Sequence, residues 1–222
     1  MEELIGTPPV NNDGALDHTF IPRFNMKDKD RSYVGGFQFQ NQFYGFRYPY
    51  QARHLKGFGA AFKKQVRELQ PAFFQTGVFG KVIARPDNRI TVDPNRPDAY
   101  GIPSPVVHFK FGENDIALWK DMKVKAQEIL HAAKARTVVD TAPVPTGFAS
   151  HETGTARMGN DPKTSVLNRF CRSHDVENLY VVDGSCFTTF PEKNPTLTIM
   201  ALAVRAARYM TNNAKGLSAN QL

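Results

Sequence analysis

HETGTARMGN (residues 151–160), NLYVVDGSCF (178–187) and FPEKNPTLTIMALAVRAARYM (190–210) form the stretch around which this chain is organised. Leu179, Tyr180, Val181 and Val182 are a short apolar run that stops at Asp183-Gly184, the pattern of a buried strand delivering a polar turn. Asn194 suits a helix N-cap and Pro195 the first helical position. Leu197, Met200, Ala201, Val204 and Ala207 then repeat at helical spacing, which predicts a helix starting at Pro195. The first turn of such a helix offers free backbone N–H groups and the positive end of the macrodipole, so it favours an anionic or electron-rich ligand atom beside Asn194. His151 sits in a Ser-His-Glu-Thr-Gly-Thr loop of small polar residues. Histidine titrates near neutrality and is the natural candidate for moving a proton, although a histidine in a polar loop is more commonly a hydrogen-bonded bystander.

The order His151-x-x-Gly154-Thr155-x-x-Met158-Gly159, then Asn178 to Ser185, then Asn194-Pro195-Thr196-Leu197-Thr198 resembles the C-terminal part of the glucose-methanol-choline (GMC) flavoprotein oxidoreductases. Within that family it is most similar to the sugar-oxidising, pyranose oxidase- and dehydrogenase-like branch. The resemblance implies that His151 is the catalytic histidine and Asn194 its partner beside the flavin ring of FAD. It also implies that Asp183 and Gly184 lie against the ribityl and pyrophosphate part, and Pro195-Thr196 against the pyrimidine end of the isoalloxazine. The implied reaction is oxidation of a CH–OH group of a sugar or polyol, with hydride passing to the flavin.

A full member of this family carries a G-x-G-x-x-G turn near its N-terminus, and no such turn occurs in these 222 residues. Gly57-Phe58-Gly59 lacks the third glycine and follows no clean strand. Without a pyrophosphate-binding βαβ unit, tight FAD binding requires an N-terminal FAD-binding polypeptide as partner. The alternative is a catalytically inactive fragment acting as a carbohydrate- or partner-binding module.

Lys and Arg number 28 against 21 Asp and Glu, for a net charge of +7, yet the basic residues are scattered in short clusters such as Lys63-Lys64. No nucleic-acid motif accompanies them, so a solvated surface or an acidic partner explains the charge better. There is no run of ~18 apolar residues to span a membrane, and MEELIGTPPVNNDG opens acidic, without the apolar core of a signal peptide. The compartment is left unassigned. Two cysteines, Cys171 and Cys186, make no disulfide scaffold. Cys171 and His174 have the look of half a metal site, but no second half with ligand spacing exists, and no metal is expected.

The expected fold is α/β (α+β): an antiparallel substrate-side sheet with helices against it, followed by the returning segment of an FAD-binding domain whose Rossmann half is absent. The expected divisions are a leader loop over residues 1–17, a substrate-binding domain over 18–140, the cofactor segment over 141–213 and a polar tail over 214–222. Ordered structure is expected to begin with DHTFIPRF, from Asp17 to Phe24; His18 reads as structural. Phe37, Phe39 and Phe43 alternate with Gln38, Gln40 and Gln42, predicting a strand with one packed face and one face toward solvent or substrate. Rings and amides together suit a sugar. A helix is predicted over 55–70 with Phe62, Val66 and Leu69 on its inner face. Strands over Phe73–Ala84, Arg89–Val92 and Val106–Phe111 follow, with turns at Arg85–Asn88 and at Asp98–Pro103. A long helix from Asn114 to Arg136 then places Trp119 and Met122 in the core.

Overall fold

The computed structural model describes residue 3 and residues 5–7, 18–22, 30–42, 50–73, 75–136, 138, 151–189 and 192–213. The remainder of the leader, Phe43, the connection over 139–150 and the tail over 214–222 lie outside them. Mixed α/β architecture is present, with antiparallel sheets and helices in two compact units. One unit comprises residues 1–80 and 113–143, the other 81–112 and 144–222. Both sheets among the described residues are antiparallel, and no parallel βαβ unit occurs there.

In the first unit, strands β1 (His18–Pro22), β2 (Phe37–Gln42) and β3 (Gln75–Gly80) form a sheet in the order β1-β2-β3. Helix α1 (Gly59–Leu69) precedes β3, and helix α2 (Glu113–Ala132) packs against β3. The core is Tyr33, Phe37, Phe39, Leu118 and Met122. Phe37 and Phe39, two residues apart on one strand face, meet edge-to-face at 5.6 Å. Gly80 lets α2 approach closely, because a Cβ there would lie 2.3 Å from Leu118 Cδ2 and 2.7 Å from Met122 Sδ. Asn114 clamps the chain entering β2: its Oδ1 accepts from Val34 N–H and its Nδ2 donates to the Val34 carbonyl. Tyr33 donates its hydroxyl proton to Asp121.

Three expectations for this unit need correction. Gln38 and Gln40 do not face solvent: Gln38 is fully buried and Gln40 only 7% exposed, so both faces of β2 are covered. Period-two alternation marks which residues share a face, and it does not say whether the polar face is open. Among the described residues, Nε2 and Oε1 of Gln38 and the side-chain Oε1 of Gln40 have no hydrogen-bond partner. Trp119 is not core; it lies more than a third exposed, with Lys123 Nζ 5.7 Å from its ring centre. Met122 is buried as expected. In α1, Phe62, Val66 and Leu69 are the half-covered positions of the helix, but the helix begins only at Gly59, with Gly57 and Gly59 at φ +119° and +73°. Those two left-handed residues interrupt any helix started at Leu55.

In the second unit, β4 (Arg89–Pro97) and β5 (Pro103–His108) form a hairpin with a register shift between Asp93 and Pro97. Asp98 Oδ1 accepts from the N–H groups of Tyr100 and Ile102, while Gly101 takes φ +80°, so the tip is built by turn chemistry. The hairpin base is closed by Asn88, which exchanges two hydrogen bonds with the Lys110 backbone. Helix α3 (Thr196–Asn213) closes the C-terminal part.

Candidate active site

The segment before Asp183 is not a strand. Tyr180 makes one antiparallel bridge to Arg172, Leu179 is about half exposed, and Val181 N–H donates to the Cys171 carbonyl at 2.9 Å. Four apolar residues carry the inward pattern of a strand, but only a single bridge partner lies alongside them, so no ladder propagates. The segment still delivers Asp183 to a tight turn. Asp183 Oδ1 accepts from Ser185 N–H at 2.8 Å and from the Ser185 hydroxyl, and a 3-10 turn runs from Gly184 to Cys186.

Alongside that turn runs the segment after His151. Gly154 N–H donates to the Gly184 carbonyl at 3.3 Å, Ala156 N–H to the Ser185 carbonyl at 3.0 Å and Met158 N–H to the Cys186 carbonyl at 3.0 Å. Gly154 holds φ +90°, a left-handed conformation that requires glycine there. At Gly184 the requirement is space: a Cβ would stand 2.9 Å from the Glu152 carbonyl oxygen. These two glycines bring the histidine segment against the Asp183 turn.

Asn194 reaches the same place from the other side. Its Nδ2 lies 3.4 Å from His151 Nε2. A carboxamide nitrogen can only donate, so in this assignment Nε2 carries a lone pair and the ring proton belongs on Nδ1. The distance is long for a hydrogen bond. Asn194 therefore directs its amide to His151, and α3 starts at Thr196, one residue later than expected; the Ile199 N–H closes the first turn on the Pro195 carbonyl. Pro195 is buried, while Thr196, Leu197 and Thr198 are exposed with their N–H groups at the free helix end.

Beneath the site lies the second core, formed by Leu167, Cys171, Cys186 and Ala206 with Met158, Val182 and Leu202 around them. Phe170 stacks on Tyr209 at 4.1 Å and fixes the far end of α3. Asn168 shapes the intervening loop: its Oδ1 accepts from Phe170 and Arg172 N–H, and Cys171 sits at φ +62°. The two thiols are fully buried; burial, then the neighbouring Cys171, push the Cys186 thiol up to about 12. His174, the other member of the Cys-x-x-His pattern, has Nε2 3.1 Å from Ser165 Oγ. The Ser165 hydroxyl also lies 2.7 Å from the Asp161 carbonyl, which can only accept. With that proton committed, Ser165 accepts from His174, and the pair is a structural bond without a nucleophile.

Polar groups are exposed at the Asp183 turn and at the start of α3. Asp183 is exposed with one carboxylate oxygen occupied by Ser185, leaving the other for a hydroxyl, and the first turn of α3 offers unpaired N–H groups. Sequence reasoning missed the ladder from Gly154 to Met158 and the Phe170–Tyr209 stack. Glycine at 154 and 184 was a visible signal for the first; nothing in the spacing pointed to the second.

The family model described as GMC oxidoreductase matches residues 84–203, more than half of the chain, and the chain belongs to that family. GMC oxidoreductases are generally FAD-dependent. Over 198 residues the chain is 37% identical to a 2-methyl-1,2-propanediol dehydrogenase of Mycolicibacterium austroafricanum, covering 85% of this chain and 35% of that protein. It is 34% identical to the fructose dehydrogenase large subunit of Gluconobacter japonicus, covering 61% of this chain and 24% of the relative. It is 32% identical to a pyranose 2-oxidase of Tricholoma matsutake, covering 58% and 25%. The chain thus spans from about a quarter to about a third of the length of these relatives.

Proposed function

We propose that this chain supplies the proton-accepting side of a flavoprotein site that oxidises a CH–OH group of a sugar or polyol. The approach of Asn194 Nδ2 to His151 Nε2, at the N-terminal end of α3, is the observation that carries this reading. The relatives' names supply the substrate class.

When an alcohol carbon gives up hydride, its hydroxyl proton must also leave, or a high-energy protonated carbonyl forms. Neutral His151 takes that proton on Nε2, and a positioned base of this kind contributes ~10²–10⁴-fold. Asn194 holds the same oxygen through its amide without titrating. The free N–H groups of Thr196, Leu197 and Thr198 favour negative charge placed at the helix end. Bound FAD supplies the hydride acceptor. Asp183, Gly184, Asn194, Pro195 and Thr196 would hold its ring and ribityl side, and an FAD-binding polypeptide would supply the phosphate-binding half.

Co-expression with such a polypeptide, followed by flavin absorbance and dye-linked oxidation of a sugar and polyol panel, tests the proposal. The expected result is a yellow complex whose turnover falls by about 10²–10⁴-fold in His151→Ala with flavin retained. A His151→Ala complex as active as the parent on every substrate would remove the histidine from the mechanism.

A further inference from the structure

Gly57-Phe58-Gly59 makes no nucleotide loop, yet it has a definite shape. Gly57 and Gly59 hold φ +119° and +73°, while Phe58 between them is extended and 92% exposed. Residues with side chains rarely adopt the two flanking conformations, so the glycines let the turn hold the Phe58 ring out at the head of α1. Helix α1 has no buried residue, and its neighbours are the 3-10 turns Tyr50–His54 and Gln70–Ala72. Ala52, Phe62 and Val66 line a groove of about 340 Å³ along the helix, bordered by Lys63, Arg67 and Gln70. Lys63 and Arg67 are four residues apart and stand in one row, beside the row of Phe62 and Val66. Among the described residues the ion pair on α1 is that of Lys64 with Glu68, at 3.7 Å, and no carboxylate pairs with Lys56, Lys63 or Arg67.

We propose that Phe58, the groove floored by Phe62 and Val66, and the cations Lys56, Lys63 and Arg67 seat the first unit on an anionic lipid surface. The proposal goes beyond the flavin reading and does not rest on it. Charge and side-chain type choose the occupant. A helix with Lys and Arg on one side and aromatic and aliphatic residues on the other lies along an interface, its apolar side sunk into the boundary between headgroups and acyl chains. Lys63 and Arg67 then meet lipid phosphates at the depth where Phe58, Phe62 and Val66 meet acyl carbon. An acidic protein would answer the same charge, but protein interfaces are depleted in lysine, and two of these three cations are lysines. An anionic membrane attracts Lys and Arg alike. Helix α1 has 11 residues, and among the described residues no helix is long and apolar enough to cross a membrane, so the contact proposed is with the surface.

The test sediments the full chain with vesicles of phosphatidylcholine alone and of phosphatidylcholine containing one-third phosphatidylglycerol. Lys63→Gln with Arg67→Gln removes two cations beside the groove, and Phe58→Ala removes the exposed ring while leaving the charge. Lys120→Gln with Lys163→Gln, both exposed and away from α1, is the control of equal charge change. Urea midpoints within error of the parent establish that the variants fold. The parent should sediment with the anionic vesicles and stay in the supernatant with the neutral ones. A basic residue at an anionic surface is worth about fivefold in binding, so the α1 pair should bind about twentyfold more weakly. Phe58→Ala should lose about tenfold through its apolar area, and the control pair should bind like the parent. The proposal is overturned if the parent ignores both kinds of vesicle, if neutral vesicles take it up equally, if the control pair loses as much as the α1 pair, or if Phe58→Ala binds like the parent. A chain that ignores the vesicles but is retained on immobilised polyglutamate through Lys63 and Arg67 would give this face to an acidic protein and overturn the lipid assignment.

Discussion

Replacing Gly184 by alanine tests the geometry of the site most directly. The backbone at Gly184 has no positive φ, so alanine is acceptable conformationally and the cost is one of space. The new methyl carbon would stand 2.9 Å from the Glu152 carbonyl oxygen, about 0.5 Å inside the 3.4 Å at which ordinary contact begins. It also meets Thr153 Cγ2 at 3.5 Å and Ile199 Cδ1 at 3.7 Å. The obstructing atom is backbone, and the segment that bears it is hydrogen-bonded to the turn at Gly154, Ala156 and Met158. It cannot rotate aside as a side chain would. Overpacking of this kind costs ~1–3 kcal/mol. Glu152 is the next residue after His151, so the displacement passes to the histidine, and misplacement on this scale lowers turnover roughly tenfold to a hundredfold. Urea denaturation of the full chain reads the first effect, and kcat of the flavin-containing complex reads the second. Gly101→Ala is the control. That residue has φ +80° and nothing within 4 Å of a Cβ, so it loses about 1–2 kcal/mol through the backbone alone and leaves turnover intact. If Gly184→Ala keeps both the parent's midpoint and its turnover, the close packing of the His151 segment on the Asp183 turn is not what positions the histidine.

Gly80→Ala should destabilise the first unit by ~1–3 kcal/mol, because its methyl would enter the space of Leu118 and Met122; tryptophan fluorescence from Trp119 during urea unfolding reads it. Asn168→Ala removes an acceptor used by two backbone N–H groups and should cost about 1–2 kcal/mol, seen as a lower urea midpoint. The raised pKa of Cys186 makes stability depend on pH in one direction. The folded chain keeps a proton that the unfolded chain releases near an ordinary thiol value, so the unfolded state binds fewer protons between about pH 9 and 12. Stability should be flat below that window and fall through it as pH rises, and Cys186→Ser should remove the slope.

Much of the fold was legible because amphipathic spacing reports which residues share a side. Phe62, Val66 and Leu69 of α1, and Leu118 and Met122 of α2, lie inward as their periodicity implies. Periodicity does not report what covers a face. It therefore failed at Gln38 and Gln40, polar yet buried, and at α3, where the apparent stripe Leu197, Met200 and Val204 is the exposed one. Two registers of apolar residues coexist on that helix, and only tertiary contact with Cys186 and Leu167 selects the inner one. The closeness of His151 and Asn194 could not come from spacing, since 43 residues separate them; it came from motif order. The supporting ladder depends on backbone hydrogen bonds, which side-chain patterns record only through Gly154 and Gly184.

The paired thiols beneath the site give the molecule its own opening clock. Cys171 and Cys186 are the only cysteines in the chain, and both are sealed in the core on which the Asp183 turn and α3 rest. A soluble thiol reagent meets neither until that core parts, and Cys186 hardly ionises at neutral pH while its surroundings stay dry. The rate at which colour develops with such a reagent under native conditions is therefore a measure of how often the C-terminal core breathes. A ligand that steadies this core should slow that clock, so its binding is read through two sulfur atoms that take no part in it.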